Sequence, residues 1–274
     1  MSNLLFLATE KVSAETLFEG FNVDLQSTAD LLKNLSNYNP TVWNYVSAIT
    51  KQVTTPLGIA IMTVLLVMEF SSIARKIAAT EGKASLEYFG SFIIKMILVV
   101  IFIPNSLTLI EAILSVGIHI IEGTSKIIAK GGMSYDTFSG FKGKGFLGNM
   151  IIGFFAILIF FCRLISVVIV NVLITLRFIQ LYLMIPFAPM ATATLVHEEW
   201  RSIGIGFYKH VIAYTIQGVL IFLTVSFVSL FQNAANSVSG FQFAAAIIGS
   251  VVQAILLIIV LVGTQRTARN IMGM

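Results

Sequence analysis

The sequence predicts an all-α fold: a polytopic bundle of about six or seven transmembrane helices preceded by an amphipathic N-terminal segment. Three observations lead there. Asp, Glu, Lys and Arg make up only 11% of the 274 residues, where a soluble domain carries roughly a quarter. Hydrophobic residues make up 57%, and the mean hydropathy is +0.93. Several runs are apolar on every face, without the polar positions at helical or strand period that a water-facing surface needs. Lipid accounts for them better than a soluble core.

The same composition limits function. A net charge of +4 and a pI near 9.2 suit nucleic acid. Yet the basic residues sit in short clusters between apolar runs rather than along one stripe, which marks them as topology signals. Cys162 is the single cysteine and lies inside an apolar run, so the chain forms neither an intrachain disulfide nor a thiolate metal cluster. Residues 1–7 are apolar but lack a basic flank and a cleavage site, so no signal peptide is expected there.

Residues 1–53 form the first region, expected to lie outside the cytoplasm. Glu10, Glu15, Glu19, Asp24 and Asp30 outnumber Lys11, Lys33 and Lys51, which makes the region mildly acidic and water-facing. From Pro40 onward, Val42, Tyr45, Val46, Ile49 and Val53 recur at helical spacing. That amphipathic helix lies along a membrane surface or a partner, or packs on the protein's own helices.

Residues 54–264 form the transmembrane domain. A first span at 56–78 carries Glu69 near its end and is followed by Arg75, Lys76 and Lys83. Residues 89–103 are apolar apart from Lys95, and a Pro-Asn-Ser break at 104–106 leads into the apolar run 107–121, predicting a helical hairpin with an uncharged tip. Residues 122–146 hold Lys126, Lys130, Lys142 and Lys144 together with Gly131, Gly132, Gly140, Gly143 and Gly145, a flexible basic connection. The stretch 146–194 is apolar for far longer than the ~20 residues one crossing takes. Arg163, Asn171, Arg177 and Gln180 are embedded in it, and Pro186 and Pro189 stand near its end, so either two spans or one very long tilted helix fits. Residues 197–210, with Glu199, Trp200, Arg201 and Lys209, read as an interfacial helix. Spans at 211–231 and 241–263 follow, and residues 265–274 form a short cytoplasmic tail with Arg266 and Arg269.

Short loops rich in Lys and Arg stay in the cytoplasm. Loops 71–88, 122–146, 195–210 and the C-terminus are therefore expected inside, with the N-terminus outside. If residues 146–194 cross twice there are seven spans, and if once, six.

An ionisable group at bilayer depth costs about 2.5–3.5 kcal/mol on insertion scales. Lys95, Arg163 and Arg177, with the nearby amide of Gln180, are therefore the candidates for a pore lining or a subunit interface. Snorkelling to the headgroups is the plainer reading for Lys95. Glu69 and Glu111 offer partners for Lys95 or proton carriers. Ala245, Gly249 and Gln253 make a small-residue face suited to close helix packing. His197, Glu198 and Glu199 lack a second histidine at i+4, and no phosphate loop or nucleophile elbow occurs, so no metal, cofactor or enzyme activity is expected.

The string VLITLRFIQLYLMIPFAPMATATLVHEEWRSIGIGFYKHVIAYTIQGVLI at residues 172–221 carries a family resemblance. An apolar helix with Arg177 leads to a break with Pro186, Pro189 and Ala191. Glu199, Trp200 and Arg201 follow, and then Gly206, Lys209, Ala213, Gln217 and Gly218. In these features the chain resembles the TrbL-type polytopic inner-membrane subunits of bacterial type IV secretion and conjugation systems. The resemblance implies a multi-pass protein of the bacterial cytoplasmic membrane that helps form the translocation path for single-stranded DNA or protein cargo. It also implies a homo-oligomer embedded in membrane lipid, working with other secretion-system subunits that include ATPases and a surface-exposed partner. The alternative from a different class is a secondary transporter of a small substrate. Two related halves with matching broken helices would mark one, and no internal repeat is present, Pro186 and Pro189 marking the single candidate break.

Overall fold

The computed structural model describes residues 25–79, 85–130, 145–236 and 242–273. Regular structure among them is helical throughout, as an all-α membrane protein requires. Four stretches among the described residues are long and apolar enough to cross a bilayer: Pro40–Ala79, Ser106–Ile128, Leu164–Ala193 and Arg201–Phe227.

A short helix α1 (Leu35–Tyr38) precedes α2 (Pro40–Ile49). Asn39 caps α2 by accepting from the Val42 N–H at 3.1 Å, and Pro40 takes the first helical position, where a missing N–H costs nothing. The chain then widens into a π-turn, Thr50–Thr54, and continues as α3 (Thr55–Ala79). Hydroxyls of Thr50, Thr54 and Thr55 donate to the Val46 and Thr50 carbonyls at 2.7–3.2 Å, occupying acceptors that the wider turn loosens. The amphipathic stretch at 40–53 is thus the first part of a long helix, not an element separate from the span. Of its predicted stripe Val46 is buried, whereas Tyr45, Ile49 and Val53 are exposed.

Helices α4 (Ser85–Phe102) and α5 (Ser106–Lys130) flank the Pro104 break. The hairpin expected here is not formed. Lys95 lies beside Glu69, and Ile103 joins Met62, Val99, Ala193 and Val196 in one apolar cluster. Gly117 lies against Thr215, next to Tyr214 at the level of Arg177. Both helices therefore lead away from the Glu69 end, and residues 103–105 are a kink in one path. Proline explains the kink, because its ring and missing N–H break the helical ladder. The remaining groups are re-bonded locally: the Asn105 amide donates to the Ile101 carbonyl at 2.9 Å, and the Leu109 N–H to the Asn105 carbonyl at 3.0 Å.

The long apolar stretch is a single helix, α6 (Gly145–Met184), continued by a 3-10 turn, Ile185–Phe187, into α7 (Ala188–Ala193). Met184 and Ala188 both keep right-handed helical dihedrals, so the prolines tighten the path without reversing it. The interfacial helix expected at 197–210 is corrected too. Residues 194–200 are turns, so Glu199 and Trp200 precede the helix, and Arg201 and Lys209 belong to the first turns of α8 (Arg201–Asn236). No proline or other strong breaker separates those polar turns from the apolar run after them, so one helix carries both. The last helix is α9 (Gln242–Ile271).

Two compact units emerge. One comprises Met1–Leu32, Ile120–Thr175 and Gln217–Thr267, the other Lys33–His119, Leu176–Ile216 and Ala268–Met274. The first buries Ile121, Val170, Ile174, Ile221 and Leu261. In the second, α3 carries its buried stripe at Gly58, Met62, Leu65, Glu69 and Ile73, three to four residues apart. Gly58 permits a close approach of α3 to α7: a Cβ there would sit 2.9 Å from the backbone carbon and oxygen of Pro189. Gly204 does the same for α8, where a Cβ would meet the Ala191 carbonyl at 2.6 Å. On the outer side Val64, Val67 and Phe70 of α3 and Ile94, Ile97 and Leu98 of α4 stay exposed, an apolar surface suited to acyl chains.

Candidate functional site at the charged end of the second unit

The buried stripe of α3 ends in a charge. Glu69 falls on it one turn after Leu65, and its side chain is only 4% exposed. Two groups compensate the carboxylate. Lys95 of α4 places Nζ 3.6 Å from Oε1, and the backbone N–H of Glu198 donates to Oε2 at 3.3 Å. Lys95 is 32% exposed, so the pair joins a buried anion to a half-buried cation. Two turns beyond Glu69, Lys76 meets the Glu198 carboxylate at 2.8 Å. Its hydrogen bond and positive charge hold the Glu198 carboxyl below the usual carboxylate range. His197 is buried alongside, its Nδ1 accepting from the Glu199 N–H at 3.3 Å.

These residues frame an open cleft of about 560 Å³ whose walls include Met68, Glu69, Arg75, Lys76, Glu198 and Glu199. Among the described residues no three His, Cys, Asp or Glu side chains converge as a metal ion needs. Among the described residues, the cleft offers paired charges in Lys76 and Glu198 and charges without an ion pair in Arg75 and Glu199, at one end of an apolar bundle.

A second polar centre lies deeper along the helices. Arg177 of α6 is 3% exposed and donates from Nε to the Tyr214 carbonyl of α8 at 2.8 Å. The Phe178 ring lies 5.4 Å from its guanidinium carbon, and Nη1 has no partner among the described residues. Phe178 stacks on Tyr38 with ring centroids 3.8 Å apart, and Tyr182 donates to the Leu35 carbonyl at 2.6 Å, so α1 closes this side. Arg177 is therefore enclosed by its own chain.

Of the residues singled out from the sequence, the structure joins Lys95 to Glu69 and leaves Arg177 apart from both. Gln180 is half-buried one turn from Arg177. Glu199, Trp200 and Arg201 are exposed in and just after the turn, and Lys209 is half-buried in α8. Arg163 lies in α6, and Ala245, Gly249 and Gln253 in α9, but their side chains fall outside the described residues. Sequence reasoning missed the Lys76–Glu198 link. The available signal is that the charge of loops 71–88 and 195–210 predicts one side for both, and the ion pair brings Lys76 and Glu198 together.

The model of the family described as TrbL/VirB6 plasmid conjugal transfer like protein matches residues 24–189, more than half of the chain. The chain belongs to this family. Membership makes it a conjugal transfer component, and its long apolar helices make it a membrane protein. The family match runs from just before the 3-10 helix Leu25–Leu32 to Pro189. It includes Glu69, Lys95 and Arg177 and stops before the Glu199-Trp200-Arg201 run that contributed to the sequence resemblance. No curated protein and no solved structure gives a match.

Proposed function

We propose that the chain is a channel or scaffold subunit of a type IV secretion machine for conjugative DNA transfer, helping to form the path across the bacterial cytoplasmic membrane. The observation that carries this reading is the family match over residues 24–189, which falls on helices of membrane-spanning length and composition. Small-residue faces and exposed apolar helix surfaces suit a homo-oligomer in lipid. ATPases and a surface-exposed partner complete the machine, with single-stranded DNA or protein as the cargo in transit.

In this reading the N-terminus is outside, and loops 71–88 and 195–210 are inside with the C-terminus. The kinked α4–α5 path then makes one crossing, which puts the Lys126 and Lys130 end of α5 on the far side as the exception to the charge rule. Arg177, held against Tyr214, supports the path from within its unit, whereas Arg163, Gln180 and Lys95 are the candidates for lining or subunit contact.

The test is a mating assay with Arg177→Ala and Lys209→Ala chains replacing the natural one in donor cells. Membrane insertion and abundance stay normal while transfer drops to background in at least one of them. Formaldehyde cross-linking of the tagged chain to DNA in transit separates a lining from a scaffold role. Undiminished transfer by both variants would overturn the proposal.

A further inference from the structure

We propose that the cleft at the charged end binds one zwitterionic aminophospholipid, its phosphate held by Arg75, its ammonium by Glu199, and its acyl chains lying along the outer face of α3. This rests on the membrane placement of the chain and not on the transfer role.

Charge bookkeeping within the cleft selects the headgroup. Lys76 and Glu198 satisfy one another at 2.8 Å, and Glu69 is compensated by Lys95 and the Glu198 N–H. Arg75 and Glu199, one charge of each sign, stand in the same wall with no ion pair among the described residues. A purely anionic headgroup would be drawn to Arg75 but would face Glu199 and the buried Glu69 as like charges. A headgroup carrying phosphate and a primary ammonium meets both unpaired groups, and its ammonium N–H donors suit a carboxylate.

The shape of the wall then selects a lipid over a small polar solute. Val64, Val67, Met68, Ser71 and Arg75 follow one another at helical spacing on one face of α3, apolar first and polar at the end. Val64, Val67 and Met68 are exposed, and the last two line the cleft itself. An amphiphile fits such a strip, with its head at Arg75 and its tails toward Val64. A volume of about 560 Å³ falls within the roughly 300–1,000 Å³ of ordinary ligand sites.

The full chain, purified in detergent and delipidated, would be offered phosphatidylethanolamine, phosphatidylglycerol and phosphatidylcholine singly at equal concentration, with retention read by native mass spectrometry. One phosphatidylethanolamine is retained per chain in preference to the other two. The preference disappears in an Arg75→Gln, Glu199→Gln double variant and moves toward phosphatidylglycerol in Glu199→Lys. Both residues are exposed, so thermal unfolding matched to the natural chain serves as the folding control. Equal retention of all three lipids, unchanged retention in the double variant, or a co-purifying peptide in the cleft would each overturn the proposal. A chain that supports transfer but holds no phosphatidylethanolamine would overturn it while leaving the proposed function intact.

Discussion

Glu69 and Arg177 are both buried charges inside the second unit, and they are compensated in different ways. Glu69 meets a full opposite charge in Lys95 and a backbone donor in Glu198. Arg177 meets a carbonyl and an aromatic face, with one nitrogen unpartnered among the described residues. The contrast separates two uses of charge in an apolar bundle. At the Glu69 end, ion pairing ties α3, α4 and the turn after α7 together. Around Arg177 the described residues leave one nitrogen of a buried cation without a partner, so its placement costs stability where the Glu69 pairing contributes it.

The comparison breaks most severely at Gly58, because Pro189 leads toward both centres. Gly58→Leu drives side-chain atoms into the Pro189 backbone, which cannot rotate away as a flexible side chain would. We expect a cost above the ~1–3 kcal/mol typical of overpacking, seen as loss of monodisperse protein in detergent. Gly90→Ala, with open space around its Cβ, is the tolerated control.

Next in size is Glu69→Leu, which strands Lys95 and removes the acceptor of the Glu198 N–H. Breaking a fully buried pair costs about 3–5 kcal/mol, and the partial exposure of Lys95 brings the expected loss toward or below the lower end. Thermal unfolding in detergent reads it, and adding Lys95→Met should recover part of the loss. Full additivity of the two substitutions would show that the pair does not couple.

Arg177→Met should do the opposite of Glu69→Leu. Burying a cation without an opposite charge is costly, and Met removes that cost at similar side-chain length, so the unfolding temperature holds or rises while conjugative transfer falls. A marked drop in stability would make Arg177 structural like Glu69 and erase the distinction drawn between them.

The smallest effect is the pH dependence of the Lys76–Glu198 link. The folded Glu198 carboxyl lies below its unfolded value of about 4.3. Its contribution is therefore complete above that value and is lost as pH falls through the lower, folded one. The stability difference between the natural chain and Glu198→Gln should be flat from neutral pH down to the ordinary carboxylate range and shrink below it. Because the pair is exposed, the difference is small at every pH.

Helical class and membrane environment were legible because they follow from composition and from runs without polar periodicity. Lys95 and Arg177 were legible as anomalies, since a charge inside an apolar run stands out in one dimension. Glu69 was one of two partners the sequence offered Lys95, and the structure selects it. The Glu198 contact to Glu69 was not legible, because the two are separated by more than a hundred residues and meet only through packing. The Pro104 break misled for a related reason: a proline in an apolar stretch produces a turn or a kink, and the choice depends on what Ile103 and Gly117 pack against. In the same way, the polar residues at 201–210 looked like a separate element because polarity changes there while helical propensity does not.

The most direct test of this account asks whether loops 71–88 and 195–210 share a membrane face, as the Lys76–Glu198 pair demands. Single cysteines at Ser72 and Glu199, in a Cys162→Ser background, would be labelled with a membrane-impermeant maleimide in intact spheroplasts and in inverted vesicles. Both positions should be protected in spheroplasts and labelled in inverted vesicles. Labelling of the two from opposite sides would contradict the fold at its charged end and everything built on it.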